Sequence, residues 1–451
     1  MRRAGTTAPA AGAAGERPGF PWPVAEHRLA NGLRVVVSPD HLVPVAAVNL
    51  WYRVGSRHDP AELPGLAHLF EHLMFEGSEQ VGRGEHTALL HAIGADGVNA
   101  STTMDRTEYH QTVPADALDL ALWLEADRMA GLRWSEDVLR NQLAVVRREH
   151  QQQHLGTPYG RWQEFALASV YPDGHPYGHP PIGSVERLAE VDPGTLAAFH
   201  GRHYAPDNAV LTVVGAVRPD EVFAKAERYF GGVPAGPAGP ADAARGRTAR
   251  PPQPLSGPVL RLEAEERADA DRVYLVHRVP AAPGADHDAL TVLAALLGRG
   301  RGARLHRRLV VERPLARAEE RAAFAWGLTH GSSLFTVGLT ARPGIGGDRL
   351  IAGVESVLDE IAAGRIDPAE LERARAVLHA GWLRSLTAFG SRADELARHA
   401  ALHERAAGIG DLPARSAAVT VADLARVARA HLGRENRFAL VLTGAAKEER
   451  A

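Results

Sequence analysis

The chain has 451 residues, 45% of them apolar and 23% charged, with a net charge of −3 and no cysteine. That length leaves room for two to three domains, and the missing cysteines exclude a disulfide framework and a thiolate metal site. No basic cluster interleaved with aromatics points to nucleic acid, and no segment has the apolar length to span a bilayer, so neither partner is expected and a cytoplasmic location is the default.

Residues 1–20 are rich in small residues with three arginines, too weakly apolar for a secretory core, and read as a disordered tail. Gly32–Ser38 and Ala46–Arg53 read as strands. Next comes PGLAHLFEHLMFEG (64–77), with Pro64 placed for a first turn and Gly77 for a stop. On a helix His68 and His72 lie one turn apart on one face, the spacing at which two imidazoles share a metal ion. Glu71 lies on an adjoining arc, within reach of a metal-activated water; H-x-x-E-H is the inverted zinc-peptidase signature. The plainer alternative is two hydrogen-bonded histidines on a half-buried helix.

Val98–Met104 and Thr107–Val113 read as a strand pair, and residues 136–153 as a helix. Along that helix Val138, Gln142, Val145 and Glu149 form one stripe, which leaves Glu149 on an inward line where a carboxylate needs a partner or a metal. On its own, Glu149 is equally an exposed helix end beside Arg147, Arg148 and His150. Three further histidine pairs, His150/His154, His175/His179 and His399/His403, read as structural or surface features. From Gly231 to Pro258 the chain is Pro-, Gly- and Ala-rich, which is linker composition. A faint repeat aligns 191–215 with 419–444, each a helix, a loop and an apolar strand ending in Gly.

Together these segments resemble the pitrilysin/insulinase-type zinc peptidases, including the mitochondrial processing peptidase branch. There the pentapeptide is followed, after 76 residues, by a glutamate that completes the metal site; here residues 73–148 separate His72 from Glu149. The stretches 97–114, 156–161, 175–184 and 204–215 look like the same family's first domain, in its order. The resemblance implies an α+β fold of two related domains, each a mainly antiparallel sheet backed by helices, in a clamshell arrangement. The corresponding divisions are a tail (1–20), a zinc-binding catalytic domain (21–232), a linker (233–257) and a related non-metal domain (258–451). It further implies one Zn²⁺ per chain on His68, His72 and Glu149, with Glu71 as general base in an endopeptidase. Asn99 and Ala100 would lie on a cleft strand that pairs with an extended peptide substrate.

One departure stands out. Family members that work with both halves in one polypeptide carry an Arg, and seven residues later a Tyr, in the C-terminal domain. The matching positions here hold Val310 and Arg317, and the only tyrosine after the linker is Tyr274. The expectation is therefore the zinc-bearing subunit of a heterodimer, whose homologous partner carries the Arg/Tyr pair. The alternatives are a non-catalytic assembly subunit of the same family and a purely structural zinc site, which would leave Glu71 unexplained.

Overall fold

A computed structural model describes residues 20–237, 255, 258–265 and 267–444. Residues 1–19 of the expected tail and most of the expected linker lie outside these. The N-terminal domain is built on strands β1 (Ala25–Arg28), β2 (Arg34–Pro39), β3 (Val45–Tyr52), β4 (Asp96–Thr102), β5 (Thr107–Pro114) and β6 (Ala209–Gly215). They pair in the order β1-β2-β6-β3-β5-β4, antiparallel except for β2 with β6. The C-terminal domain has β7 (Val259–Glu265), β8 (Arg272–Pro280), β9 (Ala323–Ala325), β10 (Ser332–Thr340) and β11 (Arg437–Gly444). Their order is β7-β11-β8-β10-β9, again with one parallel pair, β7 with β11.

Strand for strand, β7-β11-β8-β10-β9 repeats β2-β6-β3-β5-β4. The aligned segments fold alike: helix Pro193–His203 leads into β6, and helix Val421–His431 into β11. A matched hydrogen-bond pair closes each turn. Asn208 Nδ2 donates to the carbonyls of His203 (2.8 Å) and Arg53 (3.4 Å), and Asn436 Nδ2 to those of His431 (2.7 Å) and Arg278 (2.7 Å).

Both sheets are covered on both faces, which is why their central strands are buried along nearly their whole length. Successive side chains point to opposite faces. Val35, Val37, Val48 and Leu50 enter the N-terminal domain's own core, while Val36, Trp51, Val210 and Val214 pack under Trp382, Leu386, Leu396 and Ile409. The second cluster draws its cover from the other domain, chiefly helix Phe389–His403. The exchange is mutual: helix Trp162–Val170 packs on β8 and β11, placing Leu167 and Val170 against Val276, Phe438 and Leu440. Each half therefore supplies a layer of the other's sandwich. Burying a single Leu of this kind stabilises by about 1.5–3 kcal/mol, so the exchanged helices fasten the two domains together.

Candidate metal centre

The helix carrying the pentapeptide runs Leu66–Leu73, shorter than its flanking signals suggested. Pro64 lies two residues before it and Gly77 four beyond. Entry depends instead on Gly65, at φ 103°, where a Cβ would meet the Ile182 carbonyl at 2.7 Å. Asp59 caps the turn, accepting from the backbone N–H groups of Gly65 (2.6 Å) and Ala67 (2.8 Å). Gly183, in the stretch 175–184, lies so close to Pro64 that a Cβ there would stand 2.0 Å from its carbonyl oxygen, and Ser184 N–H donates to that oxygen (2.9 Å). The helix's rotation is set by its apolar face: Leu66, Leu69, Phe70 and Leu73 are buried, and Phe70 stacks on Phe199 (5.1 Å) and Tyr204 (5.3 Å). With that face fixed, His68, Glu71 and His72 project to the other side.

Glu149 comes from helix Glu136–Glu149, which starts at the Ser135 N-cap. Gln142 and Val146 are buried on its inner face, and Gln142 Nε2 donates to Glu76 Oε1 (2.7 Å), tying it to the end of the pentapeptide helix. The helix does continue past Glu149, but in π register over His150–Leu155. Such register changes recur at functional sites.

The three expected ligands meet. Glu149 Oε2 lies 3.6 Å from His68 Nε2 and 3.5 Å from His72 Nε2. Ligand atoms held tetrahedrally at zinc's usual distances stand about 3.4 Å apart, so the spacing fits one ion. Among the described residues this is the one group of three His, Asp or Glu side chains whose ligand atoms converge closely enough to hold a metal. The protonation states fit as well. Burial, and then the neighbouring His72, lower the His68 pKa to about 4, which keeps its lone pair free. The hydrogen bond from His72 holds Glu149 below the usual carboxylate range, as an anion.

Glu71 is half-buried beside the cluster, and burial raises its pKa, opposed chiefly by a hydrogen bond from the Thr102 side chain. Thr102, at the end of β4, is absent from the sequence reading, because a threonine at a strand end carries no distinguishing pattern. Asn99 and Ala100 lie on β4 opposite His110 and Tyr109. Since β4 is the outermost strand of its sheet, its other edge has no strand partner among the described residues. Asn99 is exposed and Ala100 buried.

Among the described residues the other histidine pairs form no such converged trio. His150 Nε2 and His154 Nδ1 face Glu164 Oε1 at 3.1 and 3.8 Å, His175 stacks on Tyr171 (4.4 Å), and His399 is buried with its ring 5.0 Å from that of His403. In the C-terminal domain Arg317 pairs with Asp269 (2.9 Å), and Val310 lies in a second π-helical stretch, His306–Glu312. Tyr274 is a packing residue: it stacks on Trp162 at 4.4 Å, and its hydroxyl accepts from Arg272 Nε (2.7 Å).

Comparisons with known proteins agree with this architecture. Residues 34–157 match the family model described as insulinase (peptidase family M16), and residues 190–378 match that of the peptidase M16 inactive domain. An uncharacterised zinc protease of Mycobacterium leprae is 30% identical over 83% of this chain and 82% of its own. The zinc protease PqqE of Helicobacter pylori is 28% identical over 89% and 88%. The crystal structure of a protease from Helicobacter pylori superposes with a TM-score of 0.84 at 26% identity, covering 94% of this chain and all of that one. The periplasmic protease PqqL of Escherichia coli shares the fold at 17% identity and a TM-score of 0.72, with 96% of this chain matching 48% of that one.

Proposed function

For a chain that belongs to the insulinase-type peptidase family M16, as this one does, we propose that His68, His72 and Glu149 hold one Zn²⁺ and that the protein is an endopeptidase of extended peptides. The observation that carries the reading is the convergence of two imidazoles on one carboxylate at 3.5–3.6 Å, with a further acid, Glu71, beside them. A structural zinc site would close on a fourth protein ligand, and among the described residues the cluster has three.

Zinc in such a site supplies Lewis acidity, polarising a carbonyl and acidifying water. Glu71 is the proton carrier: as the carboxylate it takes the proton of the attacking water, and as the acid it delivers it to the departing amine. Its raised pKa suits both roles, and Thr102 orients it. The free edge of β4, at Asn99 and Ala100, pairs with the peptide backbone as an added strand.

The substrate clamp belongs to a second chain. Val310 and Arg317 stand where an Arg and a Tyr are expected, and Arg317 is engaged with Asp269. The exchanged helices fix the two domains of this chain to each other, so closure over a peptide falls between this chain and a homologous subunit carrying the Arg/Tyr pair. The fold match to about half of PqqL accords with a two-chain arrangement. Cytoplasmic residence is part of the same proposal.

The test is cleavage of an unstructured peptide mixture by protein purified natively from its own cells. Cleavage should stop on chelation, return with Zn²⁺ and accompany a co-purifying homologue. A fully active lone monomer would sink the heterodimer. Zinc-bound protein that cleaves nothing, even with its homologue present, would point to the assembly-subunit alternative.

A further inference from the structure

The C-terminal domain repeats the zinc-bearing helix pair with different chemistry. In the first domain helix Leu66–Leu73 packs against helix Glu136–Glu149; in the second, helix Ala285–Gly298 packs against helix Pro368–Thr387. Counted from the N-caps Ser135 and Asp367, Glu149 and Gly381 hold the same place, 14 residues on. Arg299 occupies the space a side chain on Gly381 would take: its terminal nitrogens lie 3.2 and 3.4 Å from where that Cβ would stand. Arg384 follows Gly381 by three residues on the same helix, and Arg321 faces Arg299 across an antiparallel bridge.

These three guanidiniums have no ion pair with a carboxylate among the described residues. Two of the nearby acids are committed elsewhere: Glu319 accepts from Arg272 (2.9 Å), and Glu370 pairs with Arg304 and Arg307. Arg373 adds further positive charge, donating to the last carbonyls of helix Ala285–Gly298, at Ala295 (3.3 Å) and Leu296 (3.1 Å). Partial burial, and then the like charges of Arg321 and Arg384, lower the Arg299 pKa. Arg321 also lines an interdomain cavity of about 800 Å³, whose wall includes Thr102 through Arg106. Thr102 is the residue bonded to Glu71, so the cavity runs from Arg321, at the edge of the cluster, to the strand beside the metal centre.

We propose that Arg299, Arg321 and Arg384 form a carboxylate-binding subsite for an extended peptide lying along β4 and through this cavity. Planar guanidiniums match carboxylates in bidentate geometry, and an arriving anion relieves their mutual repulsion. The carboxylate is either the peptide's C-terminus or an Asp or Glu side chain. The inference rests on the peptide-binding reading above and adds selectivity for anionic peptides.

The experiment is fluorescence anisotropy of one labelled unstructured peptide with the zinc-loaded, full-length Glu71→Gln protein, which leaves the peptide intact. The peptide is supplied with its C-terminus free or amidated, and with its acidic side chains present or replaced by amides. At least one carboxylate form should bind about 10-fold tighter than the fully amidated form, the order of one charge-assisted hydrogen bond, and the preferred form identifies the source. In Arg299→Gln/Arg321→Gln the preference should fall below about 3-fold, with affinity for the amidated peptide kept and Arg321→Lys intermediate. No carboxylate preference, or one that survives in Arg299→Gln/Arg321→Gln/Arg384→Gln, overturns the subsite. Failure of the peptidase reading would show separately, as absence of cleavage by the unsubstituted protein with its homologue.

Discussion

In the N-terminal domain a packed helix pair brings a carboxylate within 3.6 Å of two imidazoles. In the C-terminal domain the corresponding pair brings Arg299 against Gly381. The sheets behind them have the same strand order, the same single parallel pairing and the same asparagine-closed turn before the central strand. The difference teaches that the apolar pattern and turn chemistry set the scaffold, while a few side chains on it decide whether the site favours a cation or an anion. Glu149 against Gly381 is that choice at one position.

The comparison breaks most sharply at the metal ligands. His68→Ala or Glu149→Gln should weaken zinc affinity by more than about 100-fold, since even the loss of supporting residues around a metal site costs 10–100-fold. His399→Ala, which removes one of a histidine pair of similar ring spacing in the other half, should leave zinc content unchanged. Metal analysis after dialysis against a competing chelator reads both.

The exchanged helices offer a symmetric test. Leu167 and Leu396, both fully buried, are carried by the two helices that cross between domains. Truncating either to Ala should cost about 2–5 kcal/mol, measured by denaturant unfolding. Similar costs with a single transition would mean that the halves unfold as one unit; two separated transitions would show independent domains.

A smaller effect spans both halves and depends on pH. Burial lowers the pKa of His86, His277 and His399 to about 3 each. The unfolded chain therefore binds protons that the folded one refuses, so stability is retained above pH 6.5 and lost as pH falls towards 3. Each histidine contributes a slope of up to ~1.4 kcal/mol per pH unit over that window. Denaturation midpoints measured from pH 7.5 to 4.5 should fall accordingly, and His277→Phe should flatten the curve. The mildest change is Thr102→Val. It removes the hydrogen bond that holds the Glu71 pKa down, so the acid limb of the cleavage profile should move to higher pH while zinc content stays the same.

Much of this was legible in the sequence where local pattern and structure obey one rule. The i, i+4 spacing of His68 and His72 is helical geometry, and β2, β3, β4 and β5 fall within about two residues of the expected strands because β-branched and aromatic runs mark them. The placement of Glu149 needed the family resemblance, since its stripe alone allowed a solvated helix end. Three features left no local trace. The helix exchange depends on contacts between residues more than 100 positions apart, such as Val210 with Leu396. Thr102 acts through a tertiary hydrogen bond. The arginine subsite depends on a glycine and three arginines from separate elements, none unusual in its own segment. The pentapeptide helix also begins later than Pro64 suggested, because Gly65 in its left-handed turn and the Asp59 cap set its start.

The most direct measurement of the central claim pairs zinc content with peptide cleavage for the natively purified protein and its Glu71→Gln counterpart. Equal zinc, one per chain, with cleavage reduced about 10²–10⁴-fold in the variant, is the expected result. Cleavage undiminished in Glu71→Gln, or protein that binds no zinc, would contradict it.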